Sequence, residues 1–425
     1  MPFIEPAPRG RPVASILPLV LLTFTAMAAL AASPPADPNR PLIVGRHSHV
    51  VVIEYEAWFG PKAVTFQGTA AMPQLQSADM IPVGGGYDSA DPAIIQQHVA
   101  WLESMGLDAA QIEVTNNVAC IFNSEWFIKK FVHNCTPAFR AGNRQIRDNT
   151  GNLYPAWSAL GTPLKLIPLM GGIDQNVLYK DTDGKTALEK EIAYFGALMS
   201  RYPALNVIYH GKPLMLIYLG AAQDPNPADH PLWFKIRKFL KKHSEISSQY
   251  TFRMSAGYLD SQPGVWAKPG TPTGPIEINP KYGFWSVGDR LNPSCTEPLC
   301  PYYPSYNQVG SRVENFTASI AASGQNGWGC PNPNSPPYCP DDALRFGNNQ
   351  SYATLDSYMT YAGQLAPIFL FIDQFNEYVK PDEGFDANTD DDVEPANLWG
   401  SGALDAVQQQ IQLYRQRTGA AAARR

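Results

Sequence analysis

Charge is scarce in this sequence. Asp, Glu, Lys and Arg make up 16% of its 425 residues, and the net charge is −6. No basic stripe is available to follow a phosphate backbone, so no nucleic-acid partner is expected. Histidine is also rare, at 7 residues, and no C-x-x-C pair occurs, which argues against a zinc centre. No apolar run beyond the first 31 residues is long enough to span a bilayer, so no membrane partner is expected once those residues are removed. No glycine-rich phosphate loop follows a strand, since Gly84-Gly85-Gly86 comes after a polar loop and reads as a turn. G-x-S-x-G and H-E-x-x-H are missing too, which sets aside serine-hydrolase elbows and zincin helices.

Apolar and aromatic residues are plentiful. They reach 44% and 11%, with 39 prolines, a composition suited to a large core and aromatic-lined clefts. Residues 1–31 read as a signal peptide: Arg9 and Arg11 precede an apolar run from Val13 to Leu30, and Ala29-Leu30-Ala31 is a cleavage pattern. The expected location is therefore secreted or periplasmic. Residues 32–47 form a Pro-rich lead-in, 48–418 the catalytic domain and 419–425 a C-terminal tail. The six cysteines fall in local pairs, Cys120 with Cys135, Cys295 with Cys300, and Cys330 with Cys339. Fifteen connectivities are open to six cysteines, and an exported protein is expected to use them as disulfides.

Short apolar runs alternate with amphipathic stretches. The pattern predicts strands at 50–57, 107–114, 164–170, 214–219, 250–256, 282–287, 316–321 and 368–373. Helices are predicted at 91–105, 186–202, 232–243, 352–364 and 403–415, the first capped by Asp91 and opened by Pro92. Such alternation over one long domain predicts an α/β fold, a single (β/α)8 TIM-type barrel. A doubly wound sheet is the alternative. The segments 261–280 and 292–340 read as long loops, the second stapled by two disulfides.

Active residues of such a barrel sit where strands end. Those positions hold Glu54, Glu56 and Trp58, then Glu113 and Asn116, then Asp174, Trp285, and finally Asp373, Asn376 and Glu377. Carboxylates interleaved with aromatics and amides suit glycoside hydrolysis, where one acid protonates the leaving oxygen and a second attacks or activates water. Glu377 and Glu113 are the expected catalytic pair. Glu54, Glu56, Trp58, Tyr87, Asn116, Asp174, Trp285 and Asn376 are expected to bind substrate. Glu54 and Glu56 share side-chain parity, so both face the same way along a strand. No cofactor is expected to be required. Asp386, Asn388 and Asp390 alternate as oxygen ligands for a structural Ca2+ would, though the loop glycine of an EF-hand is replaced by Asp391. N-x-[ST] sequons occur at Asn134, Asn315 and Asn349.

Two regions, residues 54–108 and 376–395, contain stretches that resemble known enzymes. Gly86-Tyr87-Asp88-Ser89-Ala90-Asp91-Pro92, followed by Ile95, His98, Trp101, Gly106 and Asp108, is similar to the opening of glycoside hydrolase families 71 and 99 and their WbsX-like relatives. Glu54-Tyr55-Glu56-Ala57-Trp58-Phe59-Gly60 resembles their first strand. Asn376-Glu377-Tyr378, Glu383-Gly384 and Glu394-Pro395 resemble the WbsX-like series N-E-W, E-G, E-P. The resemblance implies a (β/α)8 barrel acting on glycosidic bonds of a polysaccharide or glycan. Val379 to Asp382 interrupt the series, and the H-I-E-P-Y segment bearing the endomannosidase acids has no counterpart here, so that family's catalytic residues are not carried over. A non-catalytic carbohydrate-binding barrel and a polysaccharide lyase are the rival expectations. The acidic strand ends count against the lyase.

Overall fold

The computed structural model describes residues 37–60, 87–114, 118–132, 135–171, 175–218, 231–257, 276–277, 283–287, 306–309, 312–319, 353–373, 375–376, 393–395 and 400–422. The signal segment, Asn116, Asp174, Glu377, the glycine triplet, the sequons at Asn134 and Asn349, the Ca2+ candidates and the last four cysteines lie outside them.

The chain opens with β1 (Leu42–Val44) and β2 (Val50–Tyr55). A strand thus lies within the stretch expected to be a loose lead-in. Helix α1 (Pro92–Ser104) starts as predicted: Asp91 accepts a hydrogen bond from the Ala93 N–H at 2.8 Å. After β3 (Ala109–Val114) come α2 (Val118–Phe122), α3 (Glu125–Phe131) and α4 (Pro137–Leu160). The sequence pattern did not reveal α4, because Gly142, Gly151, Asn143, Asn149 and Pro155 all disfavour a helix interior. Packing overrides propensity there: Ile146, Leu153, Tyr154 and Trp157 are fully buried. Gly151 is required for close approach, since a Cβ there would lie 1.9 Å from the Tyr194 hydroxyl oxygen.

Strand β4 (Lys165–Gly171) leads through a 3-10 turn at Gln175–Leu178 into α5 (Ala187–Arg201), whose Thr186 and Glu189 form a reciprocal capping box. Strands β5 (Val207–Tyr209) and β6 (Lys212–Tyr218) form a hairpin joined by His210-Gly211. Both turn residues have positive φ, 50° and 77°, as a two-residue hairpin turn demands. Helices α6 (Pro231–Lys242) and α7 (Ser244–Ser247) precede β7 (Thr251–Gly257). Strands β8 (Ile276–Glu277), β9 (Gly283–Val287), β10 (Tyr306–Val309) and β11 (Arg312–Ser319) follow. Helix α8 (Ala353–Leu365), β12 (Phe369–Asp373) and α9 (Gly402–Ala422) complete the order. Helix α9 takes up residues 419–422 of the expected tail.

Eight strands pair in parallel in the order β9-β7-β6-β4-β3-β2-β12-β11. They are the eight strands the alternation predicts, though β11 begins four residues earlier than expected. The result is a mixed α/β fold built on a parallel-rich sheet. β5, with β1 beside it, branches from the start of β6, and β10 and β8 extend the sheet beyond β11.

Side chains alternate between two faces, as the pleat requires. On the helix-covered face, Val51, Ile53, Ala110, Ile112, Met215, Ile217, Phe252, Met254, Leu370 and Ile372 pack in the larger core. On the inner face, Val50, Val52, Ala109, Ile167, Leu169, Leu214, Leu216, Phe369 and Phe371 form a second cluster with Tyr209. Burial of a large aliphatic or aromatic side chain stabilises by about 2 kcal/mol, so each face contributes heavily. The inner cluster runs from the end where strands begin up to Leu169, which is registered with Glu113. Lys165, fully buried there, donates to the Asp37 carbonyl at 2.8 Å, and burial lowers its pKa.

Candidate active site

The parallel register carries the acids upward together. Val52 pairs with Ala109 and Glu54 with Gln111, so Glu54 and Gln111 share a level on the inner face. Glu113, paired with Leu169, stands one level higher on that face. Glu56 has the same parity, as the sequence predicts, and lies just beyond the end of β2. Glu113 and Glu56 are buried, and Glu54 is half-buried. The strand ends therefore gather carboxylates over an apolar floor.

Asn376 fixes the position of Glu56. Its side-chain oxygen accepts from the Glu56 N–H at 2.8 Å, and its side-chain nitrogen donates to the Glu56 carbonyl at 2.9 Å. The amide thus acts as an extra peptide unit, continuing the β2–β12 pairing past both strand ends. The Phe375 N–H adds a bond to the Glu54 carbonyl at 2.9 Å. Glu377, beyond the described residues, follows Asn376 directly in sequence.

Behind Glu56 lies a buried polar network in which the expected residues Tyr87 and Asn376 meet Tyr55, His98 and Glu394, which were not expected at the site. Asn376 also donates to the Tyr87 hydroxyl at 3.0 Å, and Tyr87 donates to Glu394 Oε2 at 2.8 Å. Glu394 Oε1 meets His98 Nε2 at 3.0 Å, and His98 Nδ1 meets the Tyr55 hydroxyl at 2.9 Å. Burial, reinforced by the Glu394 charge, holds both tyrosine pKa values well above the usual phenol range, so both keep their protons. In the tautomer that uses every atom, Tyr55 donates to Nδ1 and the Nε2–H donates to Glu394. Trp101 stacks on the imidazole at 5.7 Å between ring centroids, and Phe375 stacks on Tyr55 at 5.8 Å. The N–H groups of Val393 and Glu394 both donate to the Phe375 carbonyl.

Residues from the two similar regions thus meet in one network. Tyr55, Glu56, Tyr87, His98 and Trp101 come from the first, and Asn376 and Glu394 from the second. The signal for His98 and Glu394 was present in those motifs, but neither ends a strand. Asp108 proves structural: it accepts from the Val51 N–H at 2.8 Å and pairs with Arg415 at 3.0 Å.

The other expected residues divide. Trp58 is buried with Phe59 and Ile146, with Tyr87 packed against them. Trp285 is in β9, its backbone registered with Ser255 of β7. Cys120 and Cys135 form a disulfide. Asn315 is fully buried on β11, which closes its sequon to modification in the folded protein. One acid was not anticipated. Glu191 of α5 is fully buried and accepts from the Gly171 N–H at 3.3 Å, at the end of β4. Burial pushes its carboxyl well above the usual range, against the pull of that hydrogen bond. Among the described residues, no group of three or more His, Cys, Asp or Glu is placed to hold a metal, and no helix is long and apolar enough to cross a membrane.

No protein-family model and no curated protein sequence matches this chain. Solved structures similar to it include a GH99 endo-alpha-mannosidase from Bacteroides thetaiotaomicron, 14% identical, with TM-score 0.46, covering 88% of this chain and 99% of that one. A glycoside hydrolase-like protein is 11% identical, with TM-score 0.41, over 87% of this chain and 96% of its own. An alpha-L-fucosidase is 11% identical, with TM-score 0.35, over 87% and 98%.

Proposed function

We propose that this chain is a secreted glycoside hydrolase that cleaves a polysaccharide or glycan with two carboxylic acids on a closed (β/α)8 barrel. The observation that carries the reading is the gathering of Glu54, Glu56 and Glu113 at one end of adjacent parallel strands, joined through Asn376 to the segment that leads into Glu377. Closure would bring β9 against β11 and place these acids around one opening.

Glu377 and Glu113 are the proposed catalytic pair. One, protonated, gives its proton to the glycosidic oxygen as the bond to the anomeric carbon breaks. The other either attacks that carbon or takes a proton from the water that does. Water supplies hydroxyl to the anomeric carbon, and the acid is reprotonated over the cycle. Glu54, Glu56, Asn116, Asp174, Trp285 and Asn376 would bind sugar hydroxyls or ring faces. Tyr87 and Asn376 also position Glu56 through the network. The signal segment would direct export before the enzyme acts, and no cofactor is required by this chemistry.

The test counts reducing ends released from mannans, glucans, xylans and fucosylated glycans by wild type, Glu377→Gln and Glu113→Gln, with circular dichroism as a fold check. Release by wild type and a loss of at least about 10³-fold in each variant would support the pair. Full activity in a folded variant would remove that residue from the pair. Glycan binding without release by wild type would favour a carbohydrate-binding protein.

A further inference from the structure

Single exposed apolar side chains are ordinary, but contiguous exposed ones mark interaction sites. Trp126 on α3 is 50% exposed and Tyr179, just after the 3-10 turn, is 38% exposed. Both rings meet Phe131 edge-on, at 6.2 and 5.5 Å between centroids. Lys130 extends its ammonium over Trp126 and Phe131, 4.9 and 5.1 Å from their centroids. Four groups from two separate connections thus form one open aromatic surface with a cation at its side.

Its placement is informative. Helix α3 lies in the connection that leaves β3 after Glu113, and Tyr179 in the connection that leaves β4. These strands are parallel neighbours, so both connections start from the edge of the sheet that carries the acids. Ligands of parallel α/β sheets bind outside that edge.

The surface is also rigidly held. The Cys120–Cys135 disulfide closes the loop that contains α3. Asp181 accepts from the Ser124 N–H at 2.7 Å and hydroxyl at 2.5 Å, and pairs with Lys190 at 2.8 Å. Burial opposes ionisation of Asp181, but hydrogen bonds from Lys190 and Ser124 outweigh it and hold the carboxyl well below its usual range. Ser124 caps α3, Asn176 donates to the Phe131 carbonyl at 3.3 Å, and Arg140 binds Glu125 and the Asn123 carbonyl. Preorganised aromatic faces lose little entropy when a ligand stacks on them.

We propose that Trp126, Phe131 and Tyr179 form a glycan-binding platform that holds the polysaccharide away from the bond being cleaved, with Lys130 donating to sugar oxygens. Sugar rings present flat C–H faces, which suit indole and phenol rings, and their hydroxyls suit an ammonium donor. The ligand class rests on the glycosidase reading, but the test separates the two.

The full mature chain would be run by affinity electrophoresis in gels holding yeast mannan, galactomannan, barley β-glucan, xylan or alginate. Wild type should be retarded in at least one gel. Trp126→Ala/Tyr179→Ala should bind that polymer about tenfold more weakly, a loss of about 1.4 kcal/mol. Trp126→Tyr should keep most of the retardation, with all thermal midpoints compared. Equal retardation of wild type and the folded double variant would overturn the platform, as would absence of retardation in every gel. Hydrolysis by wild type with no effect of the double variant on binding would sink the platform and spare the enzyme. Binding lost in the double variant, with no hydrolysis by wild type, would do the reverse. A dimer of wild type in light scattering that the double variant abolishes would assign this face to a second copy and overturn the proposal.

Discussion

Two buried carboxylates stand on opposite sides of the sheet. Glu314 of β11 lies among the inner-face residues, held by Arg253 of β7 at 2.7 Å and by the Tyr209 hydroxyl at 2.5 Å. Glu394 lies on the helix-covered side, held by His98 and the Tyr87 hydroxyl. Each acid has a nitrogen base and a tyrosine. The bases differ in kind, since a guanidinium keeps its charge at any ordinary pH while an imidazole is a weaker base with two distinct nitrogens. The tasks differ as well. Arg253 and Glu314 tie β7 to β11, a bracing role among the inner-face residues. Glu394 and His98 tie distant segments beside the acids, where orientation matters more than strength.

The comparison can be broken from the structural side first. Arg253→Met should cost about 3–5 kcal/mol in urea unfolding, because it removes the guanidinium that compensates a buried carboxylate. Adding Glu314→Leu should restore most of that loss. If the single variant costs under about 1 kcal/mol, the Arg253–Glu314 pair is not the brace described.

Acidity is the next probe. Burial opposes ionisation of Glu314, but His210, Arg253 and Tyr209 outweigh it and hold its pKa at about 2. A folded value below the unfolded one means the contribution is complete above about pH 4.3 and is lost as pH falls towards 2. Wild type should lose roughly 3 kcal/mol more over that window than the Arg253→Met/Glu314→Leu protein. Parallel pH profiles would refute this.

Smaller effects are expected on the helix side. Glu394→Gln should cost about 2 kcal/mol, the scale of charge-assisted hydrogen bonds, and double-mutant cycles with His98→Asn should show coupling. Tyr87→Phe should cost about 1 kcal/mol and reduce turnover more than substrate affinity, through Glu56 and Asn376. Additive losses from Glu394→Gln and His98→Asn would mean the two do not act as a unit.

The sequence made the repeating strands and several helix starts legible, because periodicity and capping act over a few residues. Asp91 and Pro92 are local signals that the structure uses as expected, and the helix expected from Thr186 starts there with Thr186 as its cap. Helix α4 was hidden by its glycines, asparagines and proline, which only packing against β3 and α5 makes tolerable. The β10–β11 register shift between Asn307 and Gln308 was equally invisible, although it passes over Glu314, with Asn315 registered against Asn307 and Val313 against Gln308. Glu54, Glu56 and Glu113 could be found as strand-end acids. His98 and Glu394 could not be found that way, since a helix face and a loop acquire meaning only when distant segments meet.

That meeting has a consequence for how the chain is made. Glu56 and Asn376 are 320 residues apart, and β2 takes its β12 neighbour from the same distant region. Throughout synthesis, β2 has one edge that nothing yet made can cover. Exposed strand edges invite association with other chains. A ribosome-stalled or truncated product ending before Phe369 should therefore be sticky as well as inactive. A segment made some 320 residues after Glu56 both covers that edge of β2 and completes the candidate site.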